Sequence, residues 1–251
     1  MDKISADLKG ADFYKKLVWK TGEGFDVMPF YRKEDIENLK YINSFPDQFP
    51  FIRGKKIHNN SWKIRQNITV TDYKAANKKA LEILLKGVDS IGFYILDTES
   101  ITEKNFKILL RDIMSEAVEL NFLSNGKAKE IVGFFQSHIK QTGSDPGKIS
   151  GAIETDPIGR LMLNGTLCIP VSQGFDYLAA VAKLTTPFPR FYAVHLNASN
   201  FRNAGAGIVQ ELAFAISMAA EYMRQFIRRG IQTEVAASKI RFSLGTGSDY
   251  F

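Results

Sequence analysis

The chain has 251 residues, 45% of them hydrophobic, which suffices for one large core and makes a single α/β domain the first expectation. One cysteine, Cys168, excludes an internal disulfide framework, and no apolar run approaches the roughly 18 residues that span a bilayer, so a cytoplasmic protein away from membranes is expected. The net charge of +6 favours anionic partners in general, but the basic residues are dispersed (Lys55-Lys56, Lys78-Lys79, Arg228-Arg229) and no aromatic-interleaved tract marks a nucleic-acid binder.

In chain order, residues 1–60 carry aromatics and prolines (Phe45, Pro46, Phe49, Pro50, Phe51) without sustained periodicity, as an extended arm packing on something larger would. From Trp62 the pattern becomes regular. Ile64 to Val70 reads as a strand, Thr71 or Asp72 as the cap of a helix through Ala75, Ala80, Leu81, Leu84 and Leu85, and Gly87 as its stop. Ser90 to Leu96 is the next strand, followed by a helix capped by Thr102 through Phe106, Leu109, Leu110 and Ile113, and a strand from Val118 to Leu123. After the Asn125-Gly126 turn come a helix over 127–141, a strand over Ile149 to Ile153, a helix over 175–183 and a strand over Phe191 to Leu196. A long helix from about Ala206 to Arg229 is expected to turn Ile208, Leu212, Ile216, Met223 and Phe226 inward, and Lys239 to Leu244 is the last strand.

Strands alternating with helices imply a parallel sheet, and repetition over roughly 190 residues favours a barrel over a short doubly wound sheet. About six strands can be counted where a closed barrel needs eight. The expectation is an α/β fold, a partial (β/α)8 TIM-type barrel of parallel strands with outer helices, truncated after its last strand.

Trp62-Lys63-Ile64-Arg65-Gln66-Asn67 resembles a segment Trp-x-Ile-Arg-Gln-Tyr of the adenosylcobalamin-dependent acyl-CoA mutases. Further stretches agree in the same order: Trp19-Lys20-Thr21, Glu23-Gly24, Pro29-Phe30-Tyr31 and Pro50-Phe51-Ile52-Arg53-Gly54 upstream, Ala204-Gly205-Ala206, Glu211-Leu212-Ala213 and Glu221-Tyr222 downstream. Within that family the chain resembles the N-terminal part of the small subunits of heterodimeric methylmalonyl-CoA mutases. The resemblance implies an arm (1–60) serving as a subunit interface and a truncated barrel (61–251) whose remaining strands and cobalamin domain are absent. It also implies a homologous catalytic large subunit as partner, with self-association of the fragment as a further possibility. The complex would interconvert methylmalonyl-CoA and succinyl-CoA with adenosylcobalamin bound by the large subunit and no cofactor on this chain.

Four positions depart from the family pattern. Asn67 stands for the tyrosine that abuts substrate and cofactor, and lacks an aromatic face. Glu154, in Gly151-Ala152-Ile153-Glu154-Thr155-Asp156, stands for an uncharged glutamine, where a carboxylate would repel an anionic substrate. Asn164 falls at the arginine that pairs with the substrate carboxylate, and Asn200 at a histidine that meets the thioester carbonyl; neither amide supplies the charge or geometry of the group it replaces. Together they imply a chain without catalysis of its own. The alternatives are an active acyl-CoA mutase or CoA-dependent enzyme with a remodelled pocket, and a non-catalytic binder of CoA-like anions. His58, His138 and His195 show no metal-ligand spacing and read as surface or packing residues; Asp-x-His-x-x-Gly, through which the family gives cobalamin an axial histidine, does not occur.

Overall fold

The computed structural model describes residues 2–59, 61–123 and 125–247, and the chain divides into two compact units, 1–62 and 63–251. The first unit holds short elements: α1 (Asp2–Asp7), α2 (Phe13–Leu17), the antiparallel pair β1 (Trp19–Lys20) and β2 (Asp26–Val27), and α3 (Lys33–Ile36). Asp12 caps α2 by accepting from the Lys15 amide at 2.8 Å. Among its described residues none is buried, so elements this short build no core of their own. Phe49 and Phe51, which an arm seated on a core would bury, are exposed and meet edge to face at 6.1 Å.

The second unit is built on a six-stranded, all-parallel sheet whose spatial order is its chain order: β3 (Arg65–Val70), β4 (Ser90–Ile95), β5 (Glu119–Leu123), β6 (Ser150–Thr155), β7 (Arg190–Asn197) and β8 (Ile240–Ser243). Helices return the chain between successive strands: α4 (Tyr73–Leu84), α5 (Glu103–Leu109), α6 (Ala128–Thr142), α7 and α8 (Pro157–Asn164, Val171–Leu184), and α9, α10 and α11 (Ser199–Asn203, Ile208–Arg228, Thr233–Ser238). Sequential parallel strands with outer helices define a partial TIM-type barrel, as the strand count implied.

Local chemistry sets the boundaries. Asp72 caps α4 through the Ala75 amide (2.7 Å) and Thr102 caps α5 through Asn105 (3.2 Å). The helix expected to run through Ile113 stops at Leu109; Leu110 and Ile113 are buried all the same, beside Asp112 in the left-handed region at φ 61°. Gly151 has φ 147°, and a Cβ there would lie 1.7 Å from the Leu120 carbonyl oxygen, so only glycine lets β6 approach β5.

Strand alternation sends one set of side chains to the helices and the other to the inner face. The helix side carries Ile68, Val70, Ile91, Phe93, Ile95, Leu120, Phe122, Ile153 and Phe191, all buried. Phe122 stands 5.2 Å from Phe106 and 5.4 Å from Phe135, whose ring lies 5.5 Å from Phe191, joining the sheet to α5 and α6 through aromatic contacts.

Helix α10 corrects the reading of its periodicity. It buries Glu211, Ala215, Met218, Tyr222 and Phe226, whereas Ile208, Leu212 and Ile216 stay about half exposed. Two stripes compete on this helix, and the one with polar members is buried because those members find partners. The Glu211 carboxylate accepts from the Gly245 amide at 2.6 Å, and the Tyr222 hydroxyl donates to Asp156 while accepting from the Ile158 amide at 2.9 Å.

Candidate functional site: the polar inner face of the sheet

The inner face is polar where the helix face is greasy. Register aligns Arg65 with Ser90 and Glu119 across β3, β4 and β5, and Asn67 with Gly92, Asn121, Ala152 and Tyr192 across β3 to β7. A register shift between Ala152 and Thr155 interrupts the β6–β7 ladder around Glu154, and β7 and β8 align His195 with Arg241.

Glu154 is the centre of this face. Its side chain is 6% exposed; its Oε1 accepts a hydrogen bond from Arg241 Nη2 at 3.1 Å, lies 3.0 Å from His195 Nδ1, and forms an ion pair at 2.6 Å with Arg65 Nη2, which makes no hydrogen bond among the described residues. Burial alone raises the Glu154 carboxyl; the His195 hydrogen bond and charge, with Arg65, outweigh it and hold the group below the usual carboxylate range. Arg241 extends the network, donating from Nη1 to Asn121 Oδ1 (2.8 Å) and Glu119 Oε1 (3.2 Å) above the Tyr192 ring at 5.6 Å. Glu119 also accepts from Ser90 Oγ (3.0 Å) and pairs with Lys63 at 3.6 Å; burial pushes its carboxyl up, and Arg241 and Lys63 bring it down further, to a net lowered value.

Asn67 joins the same network. Its Oδ1 accepts from Arg65 Nε at 2.9 Å and its Nδ2 donates to the Tyr94 hydroxyl at 3.1 Å. Gly92 makes room for them, since a Cβ there would fall 2.2 Å from Asn67 Oδ1. Asn164 and Asn200 stand elsewhere. Asn164 is the exposed last residue of α7, before left-handed Gly165, and Asn200 lies on α9 after β7. Among the described residues no hydrogen bond or ion pair joins either to the Glu154 network, so two of the four positions singled out from sequence converge and two do not.

Sequence reasoning missed Arg65, Arg241, Glu119 and the role of His195. His195 belongs to the network, its Nε2 lying 2.5 Å from Ser243 Oγ; His58 is exposed and His138 is buried on α6, as surface and packing histidines are. The signal was alternation: charged or polar residues at every second position of a strand (Arg65, Asn67; Glu119, Asn121 about Leu120; Arg241, Ser243 about Phe242) mark a polar inner face.

Parallel strands in sequence order, outer helices and charged side chains converging on the inner face define a barrel of the (β/α) class with its candidate site inside. A family model described as methylmalonyl-CoA mutase matches residues 20–100 and 98–251, and the chain belongs to that family. It is 42% identical over 253 residues to a methylmalonyl-CoA mutase small subunit of Porphyromonas gingivalis, covering 100% of this chain and 40% of that protein. It is 29% identical to the methylmalonyl-CoA mutase small subunit of Propionibacterium freudenreichii subsp. shermanii (96% of this chain, 37% of that one). To the methylmalonyl-CoA mutase of Rhizobium meliloti it is 26% identical, covering 94% and 36%. The chain thus spans well under half the length of these relatives.

Proposed function

We propose that this chain is the barrel-bearing portion of a methylmalonyl-CoA mutase small subunit that contributes structure, not turnover, to a heterodimer with a homologous large subunit. The complex interconverts methylmalonyl-CoA and succinyl-CoA with adenosylcobalamin, and the large subunit holds the cofactor. In this reading residues 1–60 serve the subunit interface, and Asn67, Glu154, Asn164 and Asn200 are degenerate positions.

The observation that carries the reading is the Glu154 network. Both guanidinium groups and the imidazole on the inner face lie against Glu154, and Lys63 pairs with Glu119, so among the described residues the groups that could anchor a substrate carboxylate already face carboxylates of the chain itself. The amide of Asn67, tied to Arg65 and Tyr94, adds no aromatic surface.

Within residues 63–251 neither imidazole is placed to ligate the cobalt of adenosylcobalamin, which supports a cofactor held by the large subunit. An axial ligand needs an imidazole free to turn toward cobalt; His195 is held between Glu154 and Ser243, and His138 is buried on an outer helix.

The test is co-expression with a longer mutase chain. The account expects copurification and succinyl-CoA formation by the pair, with none by this chain supplied with methylmalonyl-CoA and adenosylcobalamin. Turnover by this chain alone would favour a remodelled active pocket and end the proposal.

A further inference from the structure

Two guanidinium groups and an imidazole meet on one carboxylate oxygen inside the partial barrel, and they come from three strands: Arg65 on β3, His195 on β7 and Arg241 on β8, all within 3.1 Å of Glu154 Oε1. Such convergence is how proteins bind a carboxylate ligand. Here the ligand position is filled from within. We propose that Arg65, His195 and Arg241 form a carboxylate-binding site whose resident ligand is Glu154, so that the chain bars external carboxylates by occupying the site itself.

The surroundings support a built site. Arg241 is held from its other side by Asn121, Glu119 and the Tyr192 ring, and His195 by Ser243, so the donors stay in place without help from Glu154. Arg65 is braced through its Nε by Asn67, which is in turn held by Tyr94. Glu119 satisfies only one edge of Arg241, leaving the Nη2 edge for Glu154. The carboxylate of Glu154 therefore does not act by naked repulsion, because its charge is matched; it excludes a second anion by taking the three donors that anion would need.

This deepens the reading of a non-catalytic inner face, and its test reads anion binding, not turnover, so the two can fail separately. Glu154→Ala deletes a CH2–COO− group, and acetate is the same fragment with one more hydrogen. In the full chain, Glu154→Ala is expected to melt below wild type and to regain stability as acetate is added, saturably and beyond the effect of equal chloride. Calorimetry should find acetate bound at least about tenfold more tightly by Glu154→Ala than by wild type. Glu154→Gln fills the space and should show no such gain. If Glu154→Ala does not fold in chloride, acetate must restore folding for the proposal to stand. Equal responses to acetate and chloride in Glu154→Ala, or wild type binding acetate as well as the variant does, would overturn it, as would full rescue of Glu154→Ala/Arg241→Met.

Discussion

Lys239→Met probes the one fully buried lysine among the described residues. Lys239 is 1% exposed and its Nζ donates to the carbonyls of Thr185 (2.8 Å), Phe188 (2.9 Å) and Phe191 (3.1 Å), tying the end of α8 and the start of β7 to the entry of β8. Methionine keeps the length and apolar stem but leaves three carbonyls without that donor. Thr185 and Phe188 each keep a second partner, the amides of Phe188 (3.0 Å) and Phe191 (3.2 Å), and the variant is relieved of burying a charge. The Phe191 carbonyl therefore counts at the low end of the unmet-acceptor cost, about 1 kcal/mol, and each of the two lost second bonds at about 0.5 kcal/mol, about 2 kcal/mol in all. For a unit of this size that lowers the melting midpoint by about 4–8 °C. The pH dependence supplies a second readout. Burial lowers Lys239 from 10.5 to about 8, so between those values the unfolded chain binds more protons than the folded one. Wild-type stability from this group rises across that window and is flat below it, and Lys239→Met lacks the rise. Paired melts at pH 7, 8, 9 and 10 would check both. A variant within about 1 °C of wild type, or two parallel pH curves, would refute the reasoning.

Gly151→Ala should abolish folding, because the added Cβ meets the Leu120 carbonyl and φ 147° suits no L side chain; soluble yield and circular dichroism decide this. Tyr222→Phe removes the hydroxyl shared by Asp156 and the Ile158 amide and should cost about 2 kcal/mol in urea titration. His138 has its imidazole lowered by burial first and by Lys107 second, and its Nε2 has no hydrogen-bond partner among the described residues. Its contribution is present above the unfolded value near 6.5 and is lost as pH falls through the lower folded value. His138→Leu should therefore match or exceed wild-type stability at pH 7 and lose less between pH 7 and pH 5, read by thermal melts. Asn164→Arg should leave the chain alone without succinyl-CoA formation, since Asn164 ends α7 outside the Glu154 network; measurable turnover would contradict this.

The strands were legible because a parallel sheet buried on its helix side writes Ile91, Phe93 and Ile95 or Leu120 and Phe122 at alternate positions, and the caps Asp72 and Thr102 read directly from local chemistry. The burial stripe of α10 was not legible. Periodicity ranks Ile208, Leu212 and Ile216 above Glu211 and Tyr222, and only the distant partners Gly245, Asp156 and Ile158 reverse that order. The candidate site was half legible for a similar reason. The departure at Glu154 was visible in sequence, but the guanidinium and imidazole groups that meet it arrive from β3, β7 and β8, and no local spacing encodes that meeting.

The most direct test of the central claim is mutase turnover by the reconstituted heterodimer when the inner face of this chain is altered. With Asn67→Ala or Asn200→Ala in this chain and an unaltered large subunit, the account predicts succinyl-CoA formation within about twofold of the unaltered complex. A loss of about tenfold or more in a complex that still assembles, equivalent to about 1.4 kcal/mol of transition-state stabilisation, would place catalysis on this chain and contradict the account.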